Sequence, residues 1–394
     1  MNLLSHRIFT SVSALPENWD DLAAGNIFLT KRYLRVLELS APENMTCFFI
    51  GVFDGDTLAG VAVSQFLELS DVGSFGVRDN CFKTKIRNFV FRRYASHVLI
   101  LGNNMLTGPN TFRFSKSISQ KSGFIALDGA VKQISKSLSG KGLKVHLTIW
   151  KDFKVEIPKD AIIPDVEKYF KFSTQPNMVL DIRDHWKTEE DYVSDLSKKY
   201  RDQYKRARKK NDGIEKRQLT LDEIKGSNDK IYDLYLTVAR NAPFNTFWLA
   251  KNHFVTLKEE LGDDFLFYGY FLDGALIGFD TLIKNGTSMD TYFLGYDENC
   301  QRDKMLYLNM LYNMIGYSIS KGFKKVIFAR TALEIKSAVG AKPVNLYGYI
   351  RHQNGLINSW MPKLFPYFEP EMIWKERHPF KDEEQPASSP AAVS

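Results

Sequence analysis

The strongest constraint on this chain is that it repeats itself. The run from Phe49 to Gly60 reads like the run from Phe267 to Gly278: alternating apolar residues, an Asp-Gly turn, and a second alternating run. Asp-Gly is a strong hairpin signal because Gly accepts positive φ at little steric cost. A helix-patterned stretch precedes each hairpin, Lys31 to Leu39 in one copy and Leu249 to Leu261 in the other. Downstream, a helix from Ala126 to Leu138 runs into Lys141-Gly142 and a strand from Val145 to Trp150. Its counterpart, Leu306 to Ser320, runs into Lys321-Gly322 and a strand from Val326 to Ala329. Gly just past a helix end is the expected cap, and the apolar runs read as buried strands. Each half thus reads helix, hairpin, further strand, helix, strand. That is an α/β (α+β) pattern, a mixed and mostly antiparallel sheet flanked by helices, present twice in tandem.

The repeat divides the 394 residues. A first unit is expected over 1–155, a crossing segment with Pro158, Pro164 and Pro176 over 156–176, and a second unit over 177–380. The small, polar, Pro-containing tail over 381–394 is expected to be disordered. A chain of this length suits two cores, since single cores rarely grow past roughly 250–300 residues. Cys47, Cys81 and Cys300 lie far apart, odd in number and without metal-ligand spacing, which fits a reducing compartment. The start, Met1 to Arg7, lacks the basic-then-apolar layout of a signal peptide. No apolar run reaches the roughly 18 residues of a membrane span. The expectation is a cytoplasmic protein, or one peripheral at the inner membrane surface. The seven His residues are scattered, and no P-loop or Gly-x-Gly-x-x-Gly is present. Metal catalysis, nucleotide hydrolysis and dinucleotide redox are set aside on these grounds. A net charge of +7 favours an anionic partner: a cofactor phosphate, a carrier protein, RNA or a membrane surface.

Two further stretches carry a family resemblance. Tyr192 to Arg201, followed by a basic helix to Lys210, resembles the "Tyr…Leu…Lys-x-Arg…Arg-Arg" opening helix of the second unit in Fem-type aminoacyltransferases and related two-unit bacterial acyltransferases. Phe328 to Ser337, followed by Gly340-Ala341, resembles their post-strand "Glu-x-Lys…Gly" segment. The order of elements resembles the acetyltransferase (GNAT) unit, and the resemblance covers the chain to Phe380. It implies two tandem GNAT-like units, an acyl or aminoacyl donor, and an amine acceptor. Two departures stand beside it. The stretch matching the usual phosphate loop, Gln301-Arg302-Asp303-Lys304-Met305, has no Gly to let backbone N–H groups approach a pyrophosphate. The long two-helix arm of many Fem-type enzymes is missing as well.

Comparison of the copies suggests where chemistry sits. Asp280 occupies the place of Ala62, and Arg330 and Thr331 are aligned with Ile149 and Trp150. A buried charge is costly unless paired, and acyl transfer needs a base for the amine and donors for the oxyanion. The second unit is therefore expected to be catalytic and the first a scaffold or acceptor groove. Within Met289 to Tyr296, a period of two puts Asp290, Tyr292 and Tyr296 on one face, where Tyr292 is a candidate oxyanion donor. Glu334 and Lys336 are read as an acid/base and charge pair, and Arg330 with Thr331 as a donor clamp. From Lys198 to Arg217, ten Lys or Arg face three acids. Tyr200, Tyr204 and Ala207 share one helix face, and Arg201, Lys205 and Arg208 a neighbouring one that suits donor phosphates, an acidic carrier or RNA. Each of these has a bland alternative as core, ion pair or solvated face. Two basic-aromatic stretches, Phe82 to Arg93 and Trp360 to Phe368, are candidates for an anionic membrane surface or for core.

The leading expectation is an N-acyltransferase, with catalytic residues Glu334, Lys336, Tyr292 and Asp280. It moves an acyl group from a thioester, acyl-CoA or acyl-carrier protein as co-substrate, to an amine, with no tightly bound cofactor and no metal. The amine of a lipid or lipid precursor is one candidate acceptor. The rivals are a Fem-type transferase using aminoacyl-tRNA and a cell-wall precursor, and a non-catalytic double GNAT fold that binds RNA or protein.

Overall fold

The computed structural model describes residues 4–69, 93–154, 166–173, 175–241, 245–368 and 374–383. The chain forms two compact units. The first comprises Met1–Thr174, Ala242–Thr256 and Leu346–Pro370, and the second comprises Gln175–Asn241, Leu257–Asn345 and Glu371–Ser394.

With strands numbered along the chain, the first unit holds β1 (Ser5–Phe9), β2 (Met45–Asp54), β3 (Thr57–Glu68), β4 (His97–Leu101), β5 (Phe112–Phe114), β6 (Leu147–Phe153), β7 (Phe170–Ser173) and β15 (Tyr347–His352). Their order is β1-β2-β3-β4-β6-β15-β7, with β5 on β3. The second unit holds β8 (Asn177–Asp181), β9 (Ile214–Gln218), β10 (Phe265–Leu272), β11 (Ala275–Asn285), β12 (Ser288–Tyr296), β13 (Lys325–Ala329) and β14 (Lys342–Val344). Their order, β9-β10-β11-β12-β13-β8-β14, is the same plan. Each sheet is antiparallel except at one central pair, β4 with β6 and β12 with β13.

The repeat holds to the residue. Gly51 pairs with Val61 and Gly269 with Phe279, and both hairpins shift register at the next step, Val52/Phe53 and Tyr270/Phe271. Both glycines leave room for matching neighbours. A Cβ on Gly51 would lie 2.8 Å from the Phe53 ring and 3.1 Å from Leu58, and one on Gly269 would lie 2.9 Å from Phe271 and 3.2 Å from Leu276. The turns differ in detail. Asp273 and Gly274 both take positive φ, whereas the first hairpin turns on Gly55 and Asp56, with Asp54 still in the strand.

Two expectations about boundaries are corrected. The strand after Asn345 does not stay with the second unit: β15 pairs with β6 and β7 of the first sheet. In exchange, β8, the next strand after β7, pairs with β13 and β14 of the second. A strand goes to whichever open edge can bond its backbone, and short apolar runs carry no label for one edge over another. Lys381 and Asp382, expected in the disordered tail, are instead bonded into the second unit: Lys381 donates its N–H to Asp195 O at 3.0 Å and Arg183 pairs with Asp382 at 2.9 Å. Residues 384–394, Pro158 and Pro164 lie outside the described residues.

Each sheet packs one face against the helix between its parallel strands. In the first unit that helix is Gln120–Gly140, whose Phe124, Leu127, Val131 and Ile134 meet Ile50, Val52, Ala62 and Trp150. In the second it is Leu306–Ser320, over Tyr268, Tyr270 and Leu282. Among the described residues no helix is long and apolar enough to cross a membrane.

Candidate active site in the second unit

The shared register shows what the second unit does differently. Tyr268, Tyr270 and Asp280 occupy the positions of Ile50, Val52 and Ala62. Asp280 is 1% exposed. Its Oδ2 accepts from the Tyr270 hydroxyl at 2.6 Å, while its Oδ1 has no hydrogen-bond partner among the described residues. Burial pushes the carboxyl up to about 6, against the opposing pull of the Lys216 charge and the Tyr270 bond. Lys216 pairs in register with Tyr270 and lies 4.1 Å over the Tyr268 ring. Its own pKa is lowered, by burial first, although Asp280 acts to raise it.

From Asp280 a polar chain runs into the core. Asn313 Nδ2 donates to Tyr270 Oη at 3.0 Å, and Arg208 Nη1 donates to Asn313 Oδ1 at 2.7 Å and Asn309 Oδ1 at 3.2 Å. Arg208 Nη2 donates to Glu189, which also accepts from Tyr204 at 2.9 Å. Gly316 makes room for that carboxylate: a Cβ there would lie 2.8 Å from Glu189 Oε2. Two predicted residues, Asp280 and Arg208, are thereby joined. Tyr270, Asn313, Lys216 and Glu189 are members the sequence reading missed. A signal for them exists in Asn309 and Asn313, one turn apart in a mostly apolar helix.

A second constellation sits after β13. Ala329, Thr331 and Ala332 all take positive φ (57°, 67° and 48°), a cluster of non-Gly residues in the left-handed region. Such conformations cost of order 1–3 kcal/mol each and cluster at functional sites. Lys336, 5% exposed, donates through Nζ to Arg330 O at 2.6 Å and so braces this loop. Burial lowers its ammonium to about 7. The expected Glu334–Lys336 pair is not formed. Glu334 accepts from Arg377 Nη2 at 2.8 Å and from the Lys375 N–H, contacts that hold it below the usual carboxylate range. Residues two apart in a short helix point apart, and Glu334 faces solvent while Lys336 faces the core. Thr331 is exposed, and its N–H donates to Gln175 Oε1 at 3.3 Å.

Three alignments need correction. Asp290 pairs with Ile327, and Ile100 with Ile149 at the equivalent step, so Phe328 rather than Thr331 stands at Trp150. Immediately after Trp150 comes the buried Lys151–Asp152 pair. On β12, Asp280 pairs with Leu294 but Leu282 pairs with Thr291, a bulge that breaks the period of two. Asp290 and Tyr296 therefore lie on opposite faces, with Tyr292 at the bulge packed edge-on to Phe293. Burial raises Asp290 to about 7, with a 3.3 Å bond from Asn285. In the basic helix (Lys198–Lys210) the face expected to carry Tyr200, Tyr204 and Ala207 is the inner one, with Tyr200 and Ala207 buried and Tyr204 half-buried. Lys205 is exposed and Arg201 half-buried, but Arg208 is turned inward and committed to Glu189, Asn309 and Asn313. The stretch matched to a phosphate loop is a helix, Glu298–Lys304, capped by Asp297.

No family model and no curated protein matches the chain. Solved structures do. A structure of FemX covers 88% of this chain and 99% of its own, at 11% identity and a TM-score of 0.52. A tandem GNAT protein from the clavulanic acid biosynthesis pathway, 10% identical, covers 89% and 99% at a TM-score of 0.48. L-PGS from Bacillus licheniformis, also 10% identical, covers 86% and 96% at 0.43. What this chain shares with FemX at such identity is the fold: two tandem GNAT-like units, as the sequence resemblance implied.

Proposed function

We propose that this chain is an N-acyltransferase that moves an acyl group from a thioester donor to an amine, with its chemistry in the second unit. The observation that supports this reading is Asp280: a buried carboxyl, raised to about 6, with one oxygen that has no hydrogen-bond partner among the described residues, at a position that is Ala62 in the other copy. A base with a pKa near neutrality is ionised at pH 7 yet basic enough to take a proton from an attacking amine. The amine nitrogen forms a bond to the thioester carbonyl carbon and its proton passes to Asp280. The C–S bond then breaks, and the thiolate leaves and is protonated. Lys336, in the separate constellation after β13, spends one donor on Arg330 O, and in its ammonium form it would offer the others and its charge to the oxyanion of the intermediate.

Helix Glu298–Lys304 stands in place of a glycine-rich loop, which favours a donor whose phosphates are held elsewhere. Exposed Lys198, Lys199, Lys205, Arg206, Lys209 and Lys210 offer a surface for a large anionic donor. Acyl-carrier protein fits this as well as coenzyme A does, and aminoacyl-tRNA is the second reading that the same surface favours. The test incubates the purified chain with each donor class and an amine panel and measures amide formation. Asp280→Asn and Lys336→Gln should each lower kcat by roughly 10²-fold with KM little changed. Near-native turnover in both variants would remove the chemistry from this site, and turnover with aminoacyl-tRNA alone would install the second reading.

A further inference from the structure

Three features of the first unit meet around the end of β15. The first is the helix Gly355–Phe368, which turns Met361 into the core and leaves Leu356 80% and Trp360 57% exposed. The two are four residues apart and so share a face, with the Lys363 ammonium 5.0 Å over the Trp360 ring.

The second feature is a pair of cavities, of about 260 and 310 Å³, that share Arg351 and Gln353. Lys132 and Lys136 line one, Lys168 and His352 the other, and among the described residues no carboxylate lines either; Glu167, beside Lys168 in the chain, is not part of the lining. Lys132 is paired with Asp128 at 2.6 Å. The Arg351 guanidinium lies 5.0 Å over the Tyr169 ring, and its Nε is enclosed without a hydrogen-bond partner among the described residues. That stacking fixes a cation at the wall shared by the two cavities, where an oxyanion can be received.

The third feature is Tyr94, 45% exposed, whose carbonyl is bonded to His352 Nε2 at 2.7 Å. Exposed Arg93 precedes it and ends the basic-aromatic stretch from Phe82, whose other residues lie outside the described ones.

We propose that this face docks onto an anionic phospholipid membrane, with Leu356 and Trp360 entering the interface and Arg351 and Lys136 receiving lipid phosphates. A phospholipid surface sets an apolar layer directly beneath a layer of negative charge, which is the pairing this face presents. A nucleic acid or a free phosphate would match the cations but leave Leu356 in water. The proposal is independent of the chemistry assigned to the second unit.

The test is sedimentation of the full chain with vesicles of phosphatidylglycerol and phosphatidylcholine in equal parts, and with phosphatidylcholine alone. The chain should pellet with the anionic vesicles at low salt and be released as salt rises. The pair Leu356→Ser and Trp360→Ser should lower the bound fraction roughly tenfold or more, and Arg351→Gln with Lys136→Gln severalfold. The circular dichroism melts of both pairs should match the native one. A chain that stays in the supernatant at low salt overturns the proposal. So does a Leu356/Trp360 variant that binds like the native chain, and so does binding of inorganic phosphate or RNA with no vesicle binding.

Discussion

In the first unit the buried acids are paired with lysines. Lys132 reaches Asp128 at 2.6 Å, and Lys151 reaches Asp152 at 2.7 Å while also donating to Asn103 O and Leu106 O. In the second unit Asp280, Asp290 and Lys336 are buried to the same degree, and none has an ion-pair partner among the described residues. The same sheet plan thus carries two treatments of buried charge. Pairing satisfies both ions and fixes a loop. Leaving a charge unpaired in a dry site drives it toward its neutral form and holds it ready to exchange a proton. On the function proposed above, that difference, more than the number of buried charges, would separate a scaffold from a reactive site.

The largest test of this contrast places the second unit's acid in the first. Ala62→Asp puts a carboxylate where no Tyr270, Lys216 or Asn313 answers it, and should cost about 3–5 kcal/mol in guanidinium unfolding. A cost below about 1 kcal/mol would mean the first unit can accommodate the same charge, and the contrast would lose its physical basis.

Acid should act on the two units with opposite sign. Asp280 and Asp290 are raised to about 6 and about 7, so the folded second unit holds protons that the unfolded chain has released. Stability from these groups is intact below the unfolded pKa of about 4 and is lost as pH rises to the folded values. For Asp280 the loss is about 3 kcal/mol. In the first unit burial lowers His146 and His253 to about 4, so their contribution is intact above about 6.5 and is lost as pH falls to 4. Hydrogen exchange on peptides of each unit, corrected for intrinsic rates, should show the second unit firming and the first loosening between pH 7 and 4. Asp280→Asn with Asp290→Asn should flatten only the second trend. Parallel trends in both units would contradict the assignment.

The smallest effects lie along the basic helix. Arg208→Ala leaves Glu189 without its guanidinium and should cost about 2–3 kcal/mol, whereas Arg201→Ala and Lys205→Ala should stay within about 0.5 kcal/mol. Equal costs for the three would place Arg208 on the solvated face after all.

How much of this was legible in the sequence depends on range. The hairpins were legible because Asp-Gly turns and alternation are local, and the structure matches them down to Gly51 and Gly269. Asp280 was legible because a lone acid in an apolar strand has few readings. The bulge at Tyr292 was not, since one extra residue leaves composition unchanged while turning Asp290 to the other face. Arg208 was misread because a helix of thirteen residues with eight Lys or Arg gives no hint which cation turns inward. The fate of Glu334 was set by Arg377, far along the chain, and periodicity cannot report such a partner.

The exchanged strands carry a consequence for synthesis. A ribosome releases β6 and β7 long before β15, which must lie between them. Until residues 347–352 emerge, the first sheet has a gap where an inner strand belongs, with two unpaired edges facing it. The amino-terminal unit therefore cannot complete itself first, as the order of translation would suggest, and must wait for almost the whole chain. Its completion registers that every strand of the second sheet has already been made.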